Sequence, residues 1–411
     1  MSVVKKGISR MVPLDSPVFS RRRALTSLAG TAVAGAALAA GARPALAADG
    51  DGPALPEERA GGLPLVIHNN SGEFANRNVH LYIVGSRGDR QVRVTRRGTV
   101  EPVKVSDNKD NGFTDYAIPL DARGTTRIRL PHMSGRIYVS LGGRLKLKAV
   151  QDGAGRPALQ HPAGWVKNDP NFPVLHDFVE FTHNESGMFC NTTMVDMFSV
   201  PLMIRLSGNR DQTTGTMRQG GRARIFRAMG NTPGFGKLVV GERRVIAPSH
   251  GLDAGRFGKH YFDPYIDKVW QAYRQQPLHV RTVAGAFTGR VDNGKLTFHG
   301  PATVSFAKPS TRDVLFCDGA LAAPNDGVTG PVAAILGAGF NRSTLLSHPK
   351  QPTTRAATFY KPEITNHYAR AIHAQMGNGK AYGFAFDDVA EWASYIQDTQ
   401  PQAMHLTLTP F

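Results

Sequence analysis

The chain has 411 residues, of which 20% are charged and 41% apolar, with 44 Gly and 27 Pro. That is room for two domains, or one large domain with an insertion, and it excludes collagen-like and disordered classes. The formal charge of +17 falls to +11 beyond residues 1–47, which hold seven Lys/Arg and one acid, and the remaining basic residues are too scattered for a nucleic-acid site.

Residues 20–25 carry a twin-arginine pattern around Arg21, Arg22 and Arg23. A weakly apolar, Gly-interrupted run follows to Ala42, and Ala45-Leu46-Ala47 is a small-x-small cleavage signal. Residues 1–47 therefore read as a twin-arginine signal peptide of an exported bacterial protein, not as an anchor. No later segment is apolar enough to span a bilayer. Residues 48–62 read as a flexible lead-in.

The first elements are strands. Residues 65–67 run into an Asn/Ser/Gly turn, and residues 78–84 alternate. Short β runs are predicted at 91–95, 117–120, 126–130, 136–141 and 144–150, separated by Gly, Pro, Asn and Asp. Such a series predicts a sandwich or barrel. A polar, Pro-rich connection spans 151–173.

The stretch 179–202 carries the chemistry. Val179 and Phe181 alternate against Glu180, Thr182 and Asn184, so a carboxylate, a hydroxyl and an amide share one face. Asp196 follows between Val195 and Met197. Two carboxylates close in sequence are what a two-carboxylate hydrolase needs. Spacing alone also leaves Glu180 as an ordinary strand residue and Asp196 as a turn residue.

Beyond Pro201 the pattern becomes mixed. A helix is predicted over 223–229. Another begins at Asp263-Pro264, with Ile266, Val269, Trp270 and Tyr273 on its apolar face. Residues 279–304 alternate around an Asp292-Asn293-Gly294 hairpin turn. Helices are predicted over 330–340 and 363–376, and a last strand over 404–408. The expected architecture is mainly β: a β domain over 63–204 completed by 377–411, a mixed α/β domain over 205–376, and a groove between them. Of Trp165, Trp270 and Trp392, Trp270 is expected in the core, on the apolar face of its helix. Asp387 and Asp388 fit either a groove wall or a turn. Cys190 and Cys317 prove no pairing, and no His or Cys spacing supports a metal or other cofactor.

The strand before Asn69-Asn70, the segment VEFT at 179–182 and the segment NTTMVDMFSVPL at 191–202 resemble thaumatin-like proteins. VEFTHN, NTTMVDMF, DVLFCDGALAAPND, NHYARAIH and AYGFAFDDV together are similar, in order, to glycoside hydrolase family 64. These are laminaripentaose-producing β-1,3-glucanases, and the resemblance spans roughly 63–411. It implies a crescent of a thaumatin-like β-barrel beside an α/β domain, with a wide groove. It also implies an inverting mechanism, with Glu180 as general acid and Asp196 as general base, and sugar contacts from Thr182, Asn184 and Thr193.

Phe189 stands where the family usually has a tryptophan, which keeps an aromatic face but drops the indole N–H. The usual partner of Cys317 is absent, and Cys190 is itself unusual, so no family-type disulfide is expected. The expected partner is β-1,3-glucan, met by a secreted monomer with no nucleic acid and no membrane. The expected product is a short laminari-oligosaccharide such as laminaripentaose. A partly apolar setting and repulsion from Asp196 would keep Glu180 protonated. The alternative is a non-catalytic, glucan-binding or antifungal thaumatin-like protein.

Overall fold

The computed structural model describes residues 62–411. The expected signal peptide and nearly all of the lead-in lie outside them. The described residues are mostly β, forming five sheets and a set of short helices.

Two sheets pack face to face. The first has five strands and brings the ends of the described chain together. Leu63–Asn69 runs parallel to Ala403–Leu408, which pairs antiparallel with Leu202–Ser207. The second has eight strands, with Val79–Arg87, Met133–Leu141, Leu175–Asn184 and Gly187–Thr192 as successive antiparallel neighbours. Alternation decides their inner faces. Leu65, Ile67, Ile204 and Leu406 meet Leu81, Ile83, Ile137, Val179 and Phe181 in one buried core.

The outer face of the second sheet is only partly covered. Tyr82, Tyr138 and Phe178 are capped there by Leu145, Leu147 and Leu159 from the connecting segments. The expected strand at 144–150 forms only as Lys148–Gln151. Earlier in that segment side chains take over the backbone donors: Leu145 N–H donates to the Tyr82 hydroxyl at 2.8 Å and Lys146 N–H to Asn171 Oδ1 at 2.6 Å.

Residues beyond Pro201 build a second core around a five-stranded sheet and the helices Asp263–Gln275, Thr329–Asn341 and His367–Gln375. The helix expected over 363–376 starts later, because Asn366 caps it by accepting from Ala369 N–H at 3.0 Å. The hairpin at Asp292–Lys295 turns through Asn293 and Gly294, both with positive φ (47° and 78°), as its sequence predicts. Trp270 is buried, its Nε1–H donating to Gly294 O at 3.2 Å.

Candidate active site

Leu175–Asn184 runs along the border between the capped and open parts of the second sheet. Phe178 lies under the cap, Glu180 and Thr182 are half-buried, and Asn184 is exposed. The alternation that buries Val179 and Phe181 in the sandwich therefore turns Glu180 and Thr182 outward.

Antiparallel register sets their neighbours. Glu180 lies between Arg136 and Asn191, and Asn191 in turn faces Tyr395. Arg136 Nη2 stands 3.3 Å from Glu180 Oε1, and Asn191 Nδ2 donates to Glu180 Oε2 at 3.5 Å. The next row is Ser134, Thr182, Phe189 and Gln397. Thr182 Oγ1 donates to Ser134 Oγ at 3.0 Å. Phe189 is half-buried on this row and belongs to none of the hydrophobic cores of the described residues. Asn184 instead closes the hairpin, its Oδ1 accepting from Ser186 N–H at 2.8 Å.

Asp196 reaches the site from the segment after Gly187–Thr192. Its carbonyl accepts from Ala247 N–H at 3.0 Å, and Met197 pairs with Ile246. Its carboxylate is nearly buried, with Oδ1 3.0 Å from His250 Nε2. Thr193 is buried as well, and its Oγ1 accepts from Val195 N–H at 3.5 Å, so it shapes the turn that presents Asp196.

Arg136 pairs with Glu180 and lies within electrostatic reach of Asp196. Besides the ion pair with Glu180, burial opposes its charge, while the Tyr138 phenol and the Asp196 carboxylate raise its pKa above the usual arginine value. Its guanidinium lies over the Phe178 ring at 4.3 Å and Nη1 donates to Tyr138 Oη at 3.2 Å. The setting expected to be partly apolar around Glu180 thus contains a fixed cation.

Asp177, three residues before Glu180, ties the two segments together. Its Oδ2 accepts from Ser199 N–H at 2.8 Å and Val200 N–H at 3.2 Å. Burial pushes its carboxyl up to about 7, against those bonds, the Phe178 N–H and the field of Arg244.

A cavity of about 830 Å³ opens beside the site. Asn191, Tyr395 and Gln397 form one wall; Arg281, Val283 and Asp388 stand among the others. The loop bearing Asp388 is held from beneath. Asp387 is fully buried, with Oδ1 3.0 Å from Arg342 Nη2 and Oδ2 2.8 Å from His373 Nε2. Asp387 is therefore an anchor and Asp388 a wall. Cys190 and Cys317 are separate buried thiols. Among the described residues no cluster of His, Cys, Asp or Glu could hold a metal, and no helix is long and apolar enough to cross a membrane.

Arg136, Asn191 and His250 were not singled out by the sequence. A hairpin closing at Glu185-Ser186 necessarily pairs Glu180 with Asn191, so Asn191 was readable from the turn. Nothing local announces Arg136 or His250, because sheet register and tertiary packing bring them in.

Residues 61–408 match the profile of the glycoside hydrolase family 64 β-1,3-glucanases. A glucan endo-1,3-β-glucosidase of Arthrobacter sp. (strain YCWD3) is 35% identical over 365 residues, covering 85% of this chain. The chain spans 65% of that relative's length. Among solved structures, a laminaripentaose-producing β-1,3-glucanase in complex with laminaritetraose is 36% identical, with a TM-score of 0.78 over 85% of this chain and 99% of that one. A β-1,3-glucanase domain from Clostridium beijerinckii is 28% identical, with a TM-score of 0.74 over 87% of this chain and 100% of that one.

Proposed function

The chain belongs to the β-1,3-glucanases of glycoside hydrolase family 64, and from that premise we propose that it hydrolyses β-1,3-glucan by a single inverting displacement. The observation that carries this reading is a pair of poorly exposed carboxylates on different segments, Glu180 on the outer face of its strand beside Arg136 and Asp196 against His250.

In this reading Glu180 gives its proton to the glycosidic oxygen as the bond from C1 to that oxygen breaks. Asp196 takes a proton from the water that attacks C1 from the opposite side. A β linkage therefore yields an α-configured sugar, and such a mechanism needs the two carboxyls about 6.5–9.5 Å apart to admit the water. Arg⁺ with two carboxylates carries one excess negative charge in a poorly solvated row, so uptake of one proton is favoured by the cluster as a whole. The 3.3 Å separation of Arg136 and Glu180 exceeds the 2.7–2.9 Å of a short charge-assisted bond. Arg136 then serves mainly after the transfer, stabilising the Glu180 carboxylate left behind.

Thr182 and Asn184 offer hydrogen bonds to sugar hydroxyls, Phe189 a ring face, and Thr193 supports the Asp196 turn. Likeness to a laminaripentaose-producing β-1,3-glucanase favours release of short laminari-oligosaccharides, pentaose included. We take residues 63–204 with 377–411 as a thaumatin-like domain, residues 205–376 as the second, and their junction as the groove of a crescent-shaped, monomeric protein. Export rests on the twin-arginine signal within residues 1–47.

Digestion of laminarin with product sizing and proton NMR of the fresh reducing end tests the proposal. Short laminari-oligosaccharides that first appear as the α anomer support it. A β anomer would overturn the single displacement, and glucan binding without any product would favour a non-catalytic thaumatin-like protein.

A further inference from the structure

His250 contributes no ligand spacing, no motif and no part in the proton transfers just described. Its ring is nevertheless held from three sides. Nε2 lies 3.0 Å from Asp196 Oδ1. The Trp165 indole stacks on its face, with centroids 4.1 Å apart and an interplanar angle of 18°. Phe316 meets it edge-on at 5.7 Å and 89°.

The backbone supports are equally specific. Ala247, at the start of Pro248–Asp253, donates its N–H to the Asp196 carbonyl, which sets the helix and the carboxylate in one frame. Arg244 is fully buried, and its Nη1 donates to Gly164 O at 2.8 Å, so the turn carrying Trp165 is fastened to the strand leading to His250. Gly164 leaves room for that contact, because a Cβ there would fall 2.1 Å from Arg244 Nη1 and displace the guanidinium.

We propose that His250 is a positioning residue for the base: its Nε2–H donates to Asp196 and fixes the carboxylate, while Trp165 and Phe316 fix the imidazole. This rests on Asp196 being the base. An ionised carboxylate has only acceptors, so the contact requires the proton on Nε2. A hydrogen bond to the charged form favours ionisation and holds one lone pair away from the attacking water. The groups within electrostatic reach of Asp196 include Arg136 and Tyr138 from Met133–Leu141 and Tyr368 from His367–Gln375. Glu180 lies across Arg136. Trp165 and Phe316 bring no charge.

The test compares two amides in the full-length protein on laminarin. Gln at position 250 places its amide nitrogen near the Nε2 position, whereas Asn places it near Nδ1 and falls short of Asp196. His250→Asn should lower kcat about 10- to 100-fold, the rate equivalent of one hydrogen bond to a charged group, with KM nearly unchanged. The acidic limb of its kcat profile should move to higher pH by about one unit, because Asp196 then ionises less readily. His250→Gln should recover most of kcat and the original limb.

Equal kcat and equal acidic limbs for the two variants would overturn the proposal, whether both match wild type or both fall together. Asp196→Asn, measured alongside, separates the two levels. If it stays active, the assignment of the base fails. If it is inactive while the two His250 variants behave alike, only the role of His250 fails.

Discussion

Arg136 and Glu180 face each other across paired strands, with Nη2 3.3 Å from Oε1 and only 9% and 13% of the two side chains exposed. The pair joins a catalytic proposal to the fold, because the register of Met133–Leu141 against Leu175–Asn184 puts a fixed cation beside the acid. Replacing Arg136 by Met keeps length and removes charge. The acid must be protonated to act, so activity falls as pH rises through its ionisation. Without the cation that ionisation moves up, and the basic limb of kcat should rise by about 1–3 pH units. The same change should lower kcat, since the spent carboxylate loses its counter-charge. Arg136→Lys should keep the limb near wild type. A pH–rate profile of the Met variant that superimposes on wild type would exclude Arg136 from the proton chemistry.

Phe189 stands on the Thr182 row, one row from Glu180. Its cross-strand partners Thr182 and Gln397 are polar and leave its ring uncovered by the core. Phe189→Ala should raise KM for laminarin about 2- to 10-fold, the equivalent of one lost ring contact, with a smaller effect on kcat. Phe189→Trp should hold KM at or below wild type. Steady-state kinetics check this, and an unchanged KM in the Ala variant would remove Phe189 from the sugar-binding face.

Asp177 predicts a pH dependence of stability. Its carboxyl is pushed from 3.8 up to about 7 in the fold, so the protonated form is favoured there. The stabilisation is complete below the unfolded value and is lost as pH rises through the folded one. Wild type should therefore lose Tm relative to Asp177→Asn between about pH 4 and pH 7. His176, which burial lowers to about 3, gives the opposite slope in both proteins and cancels in the difference. Parallel Tm curves across this range would mean that Asp177 ionises normally in the fold.

The parts of the fold that alternation and turn chemistry control were legible in the chain. Thr126–Leu130, the Asp292–Lys295 hairpin and the helix opened by Asp263-Pro264 all form where local pattern puts them. Elements fail to match where a side chain captures a backbone donor. Tyr82 and Asn171 break the strand expected at 144–150, and Asn366 delays the helix expected from residue 363.

The candidate site divides along the same line. Glu180 and Thr182 follow from period two, whereas Phe189 was marked only by the family resemblance, and the hairpin register sets it beside Thr182. Arg136 depends on the register of a strand more than forty residues away, and His250 on the docking of a short helix against the Asp196 turn. Asp387 does cap its turn, its Oδ2 accepting from Gly383 N–H at 2.9 Å, but it is also the buried partner of Arg342 and His373, which its own neighbours in sequence do not announce.

The central claim is that Glu180 and Asp196 divide acid and base work on bound β-1,3-glucan. It is tested most directly by measuring laminarin hydrolysis and laminari-oligosaccharide binding together in Glu180→Gln and Asp196→Asn. The account predicts that each variant binds the oligosaccharide within a few-fold of wild type while hydrolysis falls by at least about 100-fold. Near-normal hydrolysis by either variant, with binding intact, would contradict it.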